Sequence, residues 1–228
     1  YFHDTMVIHI NTLLYRVLEL VLIISACLLT PSLSSAQNAG KIVISRTNIE
    51  ASRFGQFRGT VQIQTRMEDV KALILGSESY PEWLHGCKKT QILVGDLSTG
   101  KAYIYFLYDA PKLPWYLRFV PRLKDRDMVL RLLWEVTDGK LMVNLSDVNP
   151  QQEPDLEGIT IPGDSSLTTV KQATVSWAFV AVGQDRIDVI HEMYIDPNHN
   201  GTDMGVMNTY VKDMVRKSLE NIKTRFNN

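Results

Sequence analysis

Few residues in this chain of 228 have the type and spacing for covalent chemistry. His85 and Cys87 lie close together, and His191 is followed directly by Glu192. A nucleophile needs a base within reach and a third group to orient that base, and such sets are defined by geometry. Neither pair carries a surrounding signature, and the chain has no glycine-rich phosphate loop and no zinc-ligand spacing. Asp196-x-Asn198-x-Asn200-Gly201 matches the opening of a calcium loop, yet its twelfth position, where a bidentate glutamate belongs, is Met207. The stretch reads as a turn instead, with Gly201 supplying a permissive backbone and Thr202 or Asp203 capping the next helix. No metal, no cofactor and no enzymatic activity are expected.

Apolar faces with isolated polar groups are the stronger signal. Strand parity places Met128, Leu130, Leu132 and Trp134 on one face, with Val129, Arg131 and Glu135 on the other. The same logic groups Val175, Trp177 and Phe179, and also Val189, His191, Met193 and Ile195. Ligand sites are typically apolar with a few placed polar groups, and His191 has better parity for that role than Tyr194. Residues 112–124 interleave aromatic and basic side chains: Trp115, Tyr116, Arg118, Phe119, Arg122 and Lys124. Aromatics favour the membrane interface and cations favour anionic headgroups, so this segment is expected to dock on a bilayer.

These faces must be positioned by mostly β structure. Residues 57–65 alternate, with Phe57, Val61 and Ile63 on one side. Residues 66–75 have helical spacing, and Pro81 is expected to bar regular helix at residues 80–84. Two hairpins follow, residues 88–96 with 101–109 and residues 127–136 with 140–148, the second turning on Asp138-Gly139. Residues 149–168 read as a polar loop, residues 169–182 as one long strand, and residues 187–195 as its partner. The chain closes on a helix over residues 203–225 with apolar residues at Met204, Met207, Val211, Met214, Val215, Leu219 and Ile222. The class is α+β: a curved antiparallel sheet wrapped around a long C-terminal helix, with small helices after the first long strand.

The front has a different character. Residues 17–29 are apolar apart from Glu19 and Ser25, Arg16 precedes them, and Ser34-Ser35-Ala36 follows Pro31. This is the layout of a secretory signal peptide cut after Ala36. The alternatives are a retained membrane anchor, or a lipoprotein modified at Cys27. Residues 1–36 are thus read as leader and residues 37–228 as the domain, exported to the periplasm or secreted. Removing Arg16 from 24 basic residues, and Asp4 and Glu19 from 25 acidic ones, leaves 23 of each. That balance excludes nucleic acid as the main partner. Cys87 is the one cysteine of the domain, so no disulfide braces it, and it is expected to be a monomer.

The order of elements and four short motifs resemble the START domains, the steroidogenic-acute-regulatory-protein-related lipid-transfer family with the helix-grip fold. Phe57-Arg58-Gly59-Thr60-Val61 before Met67-Glu68-Asp69-Val70 is similar to the family's first long strand and small helix. Ser79-Tyr80-Pro81-Glu82-Trp83 is similar to its Tyr-Pro-x-Trp segment, Arg126-Asp127-Met128-Val129 to its Arg-Asp strand opening, and Asp196-Pro197 before a glycine turn to its ending. The resemblance implies a lipid or other apolar molecule held in a cavity between sheet and terminal helix, and transfer of that molecule between membranes. The implied lining comprises Tyr105, Asp109, Leu130, Leu132, Trp134, Trp177, Phe179, His191, Met193, Met204, Met207 and Val211. Asp109 matches the family's buried acid. The cavity arginine of sterol-binding members is replaced here by Leu132, with Arg131 on the opposite face. Helix-grip folds also resemble polyketide cyclases and aromatases, so the alternative is an enzyme using the same cavity, which would carry several polar groups able to move protons.

Overall fold

A computed structural model describes residues 40–50, 52–111, 124–197 and 203–227, all in a compact unit that spans Asn38–Asn228. The expected leader, the segment expected to dock apart from Lys124, and the Asn198–Gly201 part of the turn lie outside the described residues. Among the described residues no helix is long and apolar enough to cross a membrane.

The elements follow in the order β1 (Val43–Asn48), β2 (Gly55–Gln64), α1 (Met67–Leu75), α2 (Tyr80–Trp83), β3 (Cys87–Asp96), β4 (Lys101–Tyr108), β5 (Arg126–Thr137), β6 (Lys140–Asp147), β7 (Thr168–Thr169), β8 (Gln172–Ala181), β9 (Arg186–Asp196) and α3 (Met204–Phe226). The strands form one nine-stranded sheet ordered β1-β2-β9-β8-β6-β5-β4-β3, with β7 beside β5. Every pairing is antiparallel except β7 with β5. Asp138 (φ 46°) and Gly139 (φ 74°) both take positive φ. That is the tight hairpin geometry an Asp-Gly pair favours, and it sets the β5–β6 register. Register shifts in β3 after Cys87 and Ile92 bend that edge of the sheet.

Helix α3 lies on β2 and β9 and buries Met207, Val211, Met214, Val215, Leu219 and Ile222. Its start is capped by Asp203, whose carboxylate accepts from the Val206 amide at 2.9 Å. Gly59 is its seat. A Cβ there would stand 2.5 Å from Leu219 Cδ1 and 2.7 Å from Val215 Cγ1, so the helix rests where only glycine leaves room.

Three expectations change. Residues 80–83 do form a one-turn helix, because Pro81 falls in its first turn, where a missing N–H removes no helical bond. The expected long strand over residues 169–182 is two pieces: β7 turns aside to pair with Arg126 and Asp127, and β8 starts at Gln172. The polar loop is not simply solvated. It forms a 3₁₀ turn at Pro154–Leu156, and Leu156 and Ile161 pack on Tyr103, Tyr105 and Val129, making a second, smaller core on the outer face of the sheet.

Candidate functional site

The concave face of the sheet and the two short helices enclose an apolar chamber. Its sheet side is formed by Phe106 and Tyr108 of β4, Leu130 and Leu132 of β5, Val143 and Leu145 of β6, Val175 and Trp177 of β8, and Met193 of β9. Its opposite side is Ile74 of α1, Tyr80 and Trp83 of α2, and Leu84. None of these residues belongs to α3. The terminal helix seats directly on β2 and β9 over Gly59. The wall facing the sheet is therefore α1 and α2.

Aromatic rings dominate the chamber. Trp83 meets Trp177 edge-on at 5.4 Å, Tyr80 meets Trp83 edge-on at 5.4 Å, and Phe106 stacks between Tyr80 (6.2 Å) and Tyr108 (6.0 Å). Trp177 also stacks on Phe179 at 5.9 Å and on His191 at 3.5 Å. The rings nearly fill the space. Room clear enough for a water molecule is about 20 Å³.

A few polar groups remain inside. Tyr80 donates its hydroxyl hydrogen to Ile74 O at 2.6 Å. The Trp83 indole N–H and His191 Nε2 have no partner among the described residues. His191 Nδ1 lies 3.1 Å from Ser176 O; a carbonyl can only accept, so Nδ1 holds the proton and Nε2 offers a lone pair. Burial drives the His191 pKa down to about 3, so the ring is neutral at physiological pH. Burial pushes the Cys87 thiol up to about 12 and raises Tyr80 and Tyr108 above the ordinary phenol range. Arg126 is buried at the end of the same face, where Nη1 donates to Lys124 O at 3.2 Å.

The sequence-predicted residues separate into groups. Leu130, Leu132, Trp177 and Met193 line the chamber, and His191 and Phe179 flank it through Trp177. Val211 is buried in the main core. The others lie elsewhere. Tyr105 points to the outer face and joins the smaller core, because the parity of β4 turns Phe106 and Tyr108 inward. Asp109 is not buried: its side chain is 54% exposed and pairs with Lys88 at 3.3 Å on the surface. Trp134 is half-buried at the edge of the main core, its indole N–H bonded to Leu97 O and its ring under Lys71 Nζ at 4.9 Å. Met204 is exposed in the first turn of α3, and Met207 is buried in a satellite cluster with Phe54 and Tyr194. Of the proposed docking residues, Lys124 is described: it is exposed and donates to Ser165 O at 2.9 Å.

Sequence reasoning missed Tyr80, Trp83, Phe106 and Tyr108 as chamber residues. Both faces of β4 are apolar because each is covered, so alternation could not say which face pointed inward. The Tyr-x-x-Trp spacing of α2 was the available signal, since it carries both rings.

The architecture is a helix-grip α+β fold. Among solved structures it is similar to a STAR-related lipid transfer protein (fragment 25–204) from Xanthomonas axonopodis, at 19% identity over 84% of this chain and 97% of that one, with a TM-score of 0.65. It is also similar to human StAR-related lipid transfer protein 5, at 11% identity over 83% of this chain and 84% of that one, TM-score 0.65. A third similar structure is human STARD10, at 13% identity over 80% of this chain and 68% of that one, TM-score 0.62. The fold is thus the START fold. No protein-family model matches the chain, and no curated protein matches it.

Proposed function

We propose that the protein binds a lipid or other apolar small molecule in the aromatic chamber and carries it between membranes without altering it. The observation that carries this reading is the chamber itself: a wall of rings and branched aliphatics whose lining holds the Trp83 N–H, a donor without a partner among the described residues. Burying such a ligand yields about 0.8 kcal/mol per CH₂, so affinity needs few polar contacts. The neutral His191 and the protonated Cys87, Tyr80 and Tyr108 supply no strong base, which favours binding over a cyclase-like reaction.

Small-molecule sites occupy roughly 300–1,000 Å³, far more than the clear space of about 20 Å³ present here. Loading therefore requires the wall opposite the sheet to move. Helix α3 is poorly placed to do so. Asn221 donates to Trp83 O at 3.2 Å, Ser218 accepts from the His85 amide at 2.9 Å, Asn208 accepts from the Gly55 amide at 2.9 Å and Tyr210 donates to Asp109 O at 2.7 Å. Helix α1 has no side-chain cap at its start and is the element we assign to the opening. Export with removal of residues 1–36 and docking through residues 112–124 complete the proposal; mapping the mature N-terminus and measuring sedimentation with anionic liposomes test those parts.

The deciding experiment is native mass spectrometry of protein purified from its own compartment, followed by binding of whatever apolar species co-purifies. A stoichiometric ligand displaced from the Leu132→Trp variant, whose added ring would occupy the chamber, is the expected result. Absence of any apolar ligand across a lipid panel sinks the proposal.

A further inference from the structure

The outer face of the sheet carries a second, larger cavity, with about 500 Å³ of clear space. Its floor is the outward side of β4 and β5, at Tyr105, Asp127 and Val129; residues 148–151 and Ile161 of the covering loop form the roof, and Val170 and Lys171 close one end. The loop is held over this floor by the smaller core around Leu156.

Asp127 is 7% exposed, yet its Oδ1 has no partner among the described residues. Its Oδ2 lies 3.5 Å from the Tyr105 hydroxyl, the outer limit of a hydrogen bond. The covering loop crosses immediately above: a Cβ on Gly163 (φ +125°) would stand 2.6 Å from Oδ2. Burying a carboxylate costs several kcal/mol unless a cation or strong donors meet it, and among the described residues no ion pair reaches Asp127. Lys171 lines the cavity, but its Nζ is 3.5 Å from an Asp196 oxygen. Arg131 lies further along the same strand face, where its charge acts on Asp155. A second wall carboxylate, Asp147, accepts from the Ala173 amide at 3.2 Å. The wall thus carries two carboxylates against one lysine, with the neutral polar side chains of Asn149, Gln151 and Thr169 and an apolar remainder. No group of three or more His, Cys, Asp or Glu side chains able to hold a metal occurs among the described residues, so a metal ion fits poorly.

We propose that this outer cavity binds a small organic ammonium compound, a primary amine on a compact apolar or aromatic body. Asp127 Oδ1 accepts from the ammonium group, and Tyr105, Val129, Val148 and Ile161 surround the body. The site is separated from the aromatic chamber by the sheet and stands independently of the lipid-binding proposal.

Calorimetry of the full chain with tryptamine tests it, with indole-3-propionate as the analogue of opposite charge. The expected result is saturable one-to-one binding of tryptamine, none of the propionate, and a loss of about tenfold or more in Asp127→Asn, in line with hydrogen bonds to charged groups. Ile161→Trp, which crowds the same cavity and keeps the carboxylate of Asp127, gives a second arm and also abolishes binding. Asp127→Asn should retain lipid binding in the aromatic chamber. The proposal is overturned by failure of the wild type to bind tryptamine, by equal binding of tryptamine to Asp127→Asn, or by equal binding of the amine and the propionate.

Discussion

At the scale of single residues, the chamber's character rests on groups left short of partners. The Trp83 N–H is buried without an acceptor among the described residues, and an unsatisfied buried donor costs about 1–3 kcal/mol. Trp83→Phe should therefore leave the empty protein as stable or slightly more so by thermal unfolding. It should weaken any ligand whose polar group accepts from that N–H by about tenfold. An unchanged affinity would remove Trp83 as a recognition group. His191 makes a pH prediction. Its unfolded pKa is about 6.5 and its folded value about 3, so the unfolded chain binds the proton first as pH falls. The stabilisation is complete above pH 6.5 and is lost as pH falls toward 3. At pH 4.5 the loss amounts to about 3 kcal/mol. Urea unfolding at pH 7 and pH 4.5 should show the gap between wild type and His191→Phe narrowing by that order; a gap independent of pH would contradict a buried neutral imidazole. His191 was legible in the sequence because its strand alternates cleanly. Tyr105 was misplaced because its strand is apolar on both faces, and Asp109 because strand parity does not reveal whether an end residue reaches solvent.

Among the elements, the terminal helix was the most legible and its role the least. Its stripe and its length follow from spacing alone, while the cap, left between Thr202 and Asp203 by the sequence, is Asp203. That it seats on β2 and β9 depends on Gly59, whose lack of a side chain matters only once strand and helix are stacked. Gly59→Val should lift α3 from its seat and lower stability by about 1–3 kcal/mol, as overpacking does, read by urea unfolding. Helix α1 is expected to behave differently. Its amides should exchange with deuterium faster than those of α3 in the empty protein and slow on ligand addition; equal protection of the two helices, unchanged by ligand, would leave the opening without a moving part. The loop over residues 149–168 was read as polar from its composition. Two of its apolar residues, Leu156 and Ile161, are enough to fasten it, which a count of Pro, Gly and Asp conceals.

For the whole molecule, the order of strands was inferable only in part. Hairpins are local and announce themselves through turns, whereas the pairing of β2 with β9 joins distant segments and has no local signature. The chamber's near-closure was likewise invisible in the sequence, since it depends on how rings interlock. Cys87 gives that closure a practical consequence. The thiol is buried, with its pKa pushed up to about 12, and only the thiolate reacts. At pH 8 roughly one molecule in ten thousand presents it while the structure is closed. Cys87 pairs across the sheet with Tyr108, a chamber residue, so exposing one should expose the other. Its alkylation rate then serves as a native stopwatch for chamber opening, slowed by a bound ligand and speeded by anionic vesicles if unloading happens at their surface.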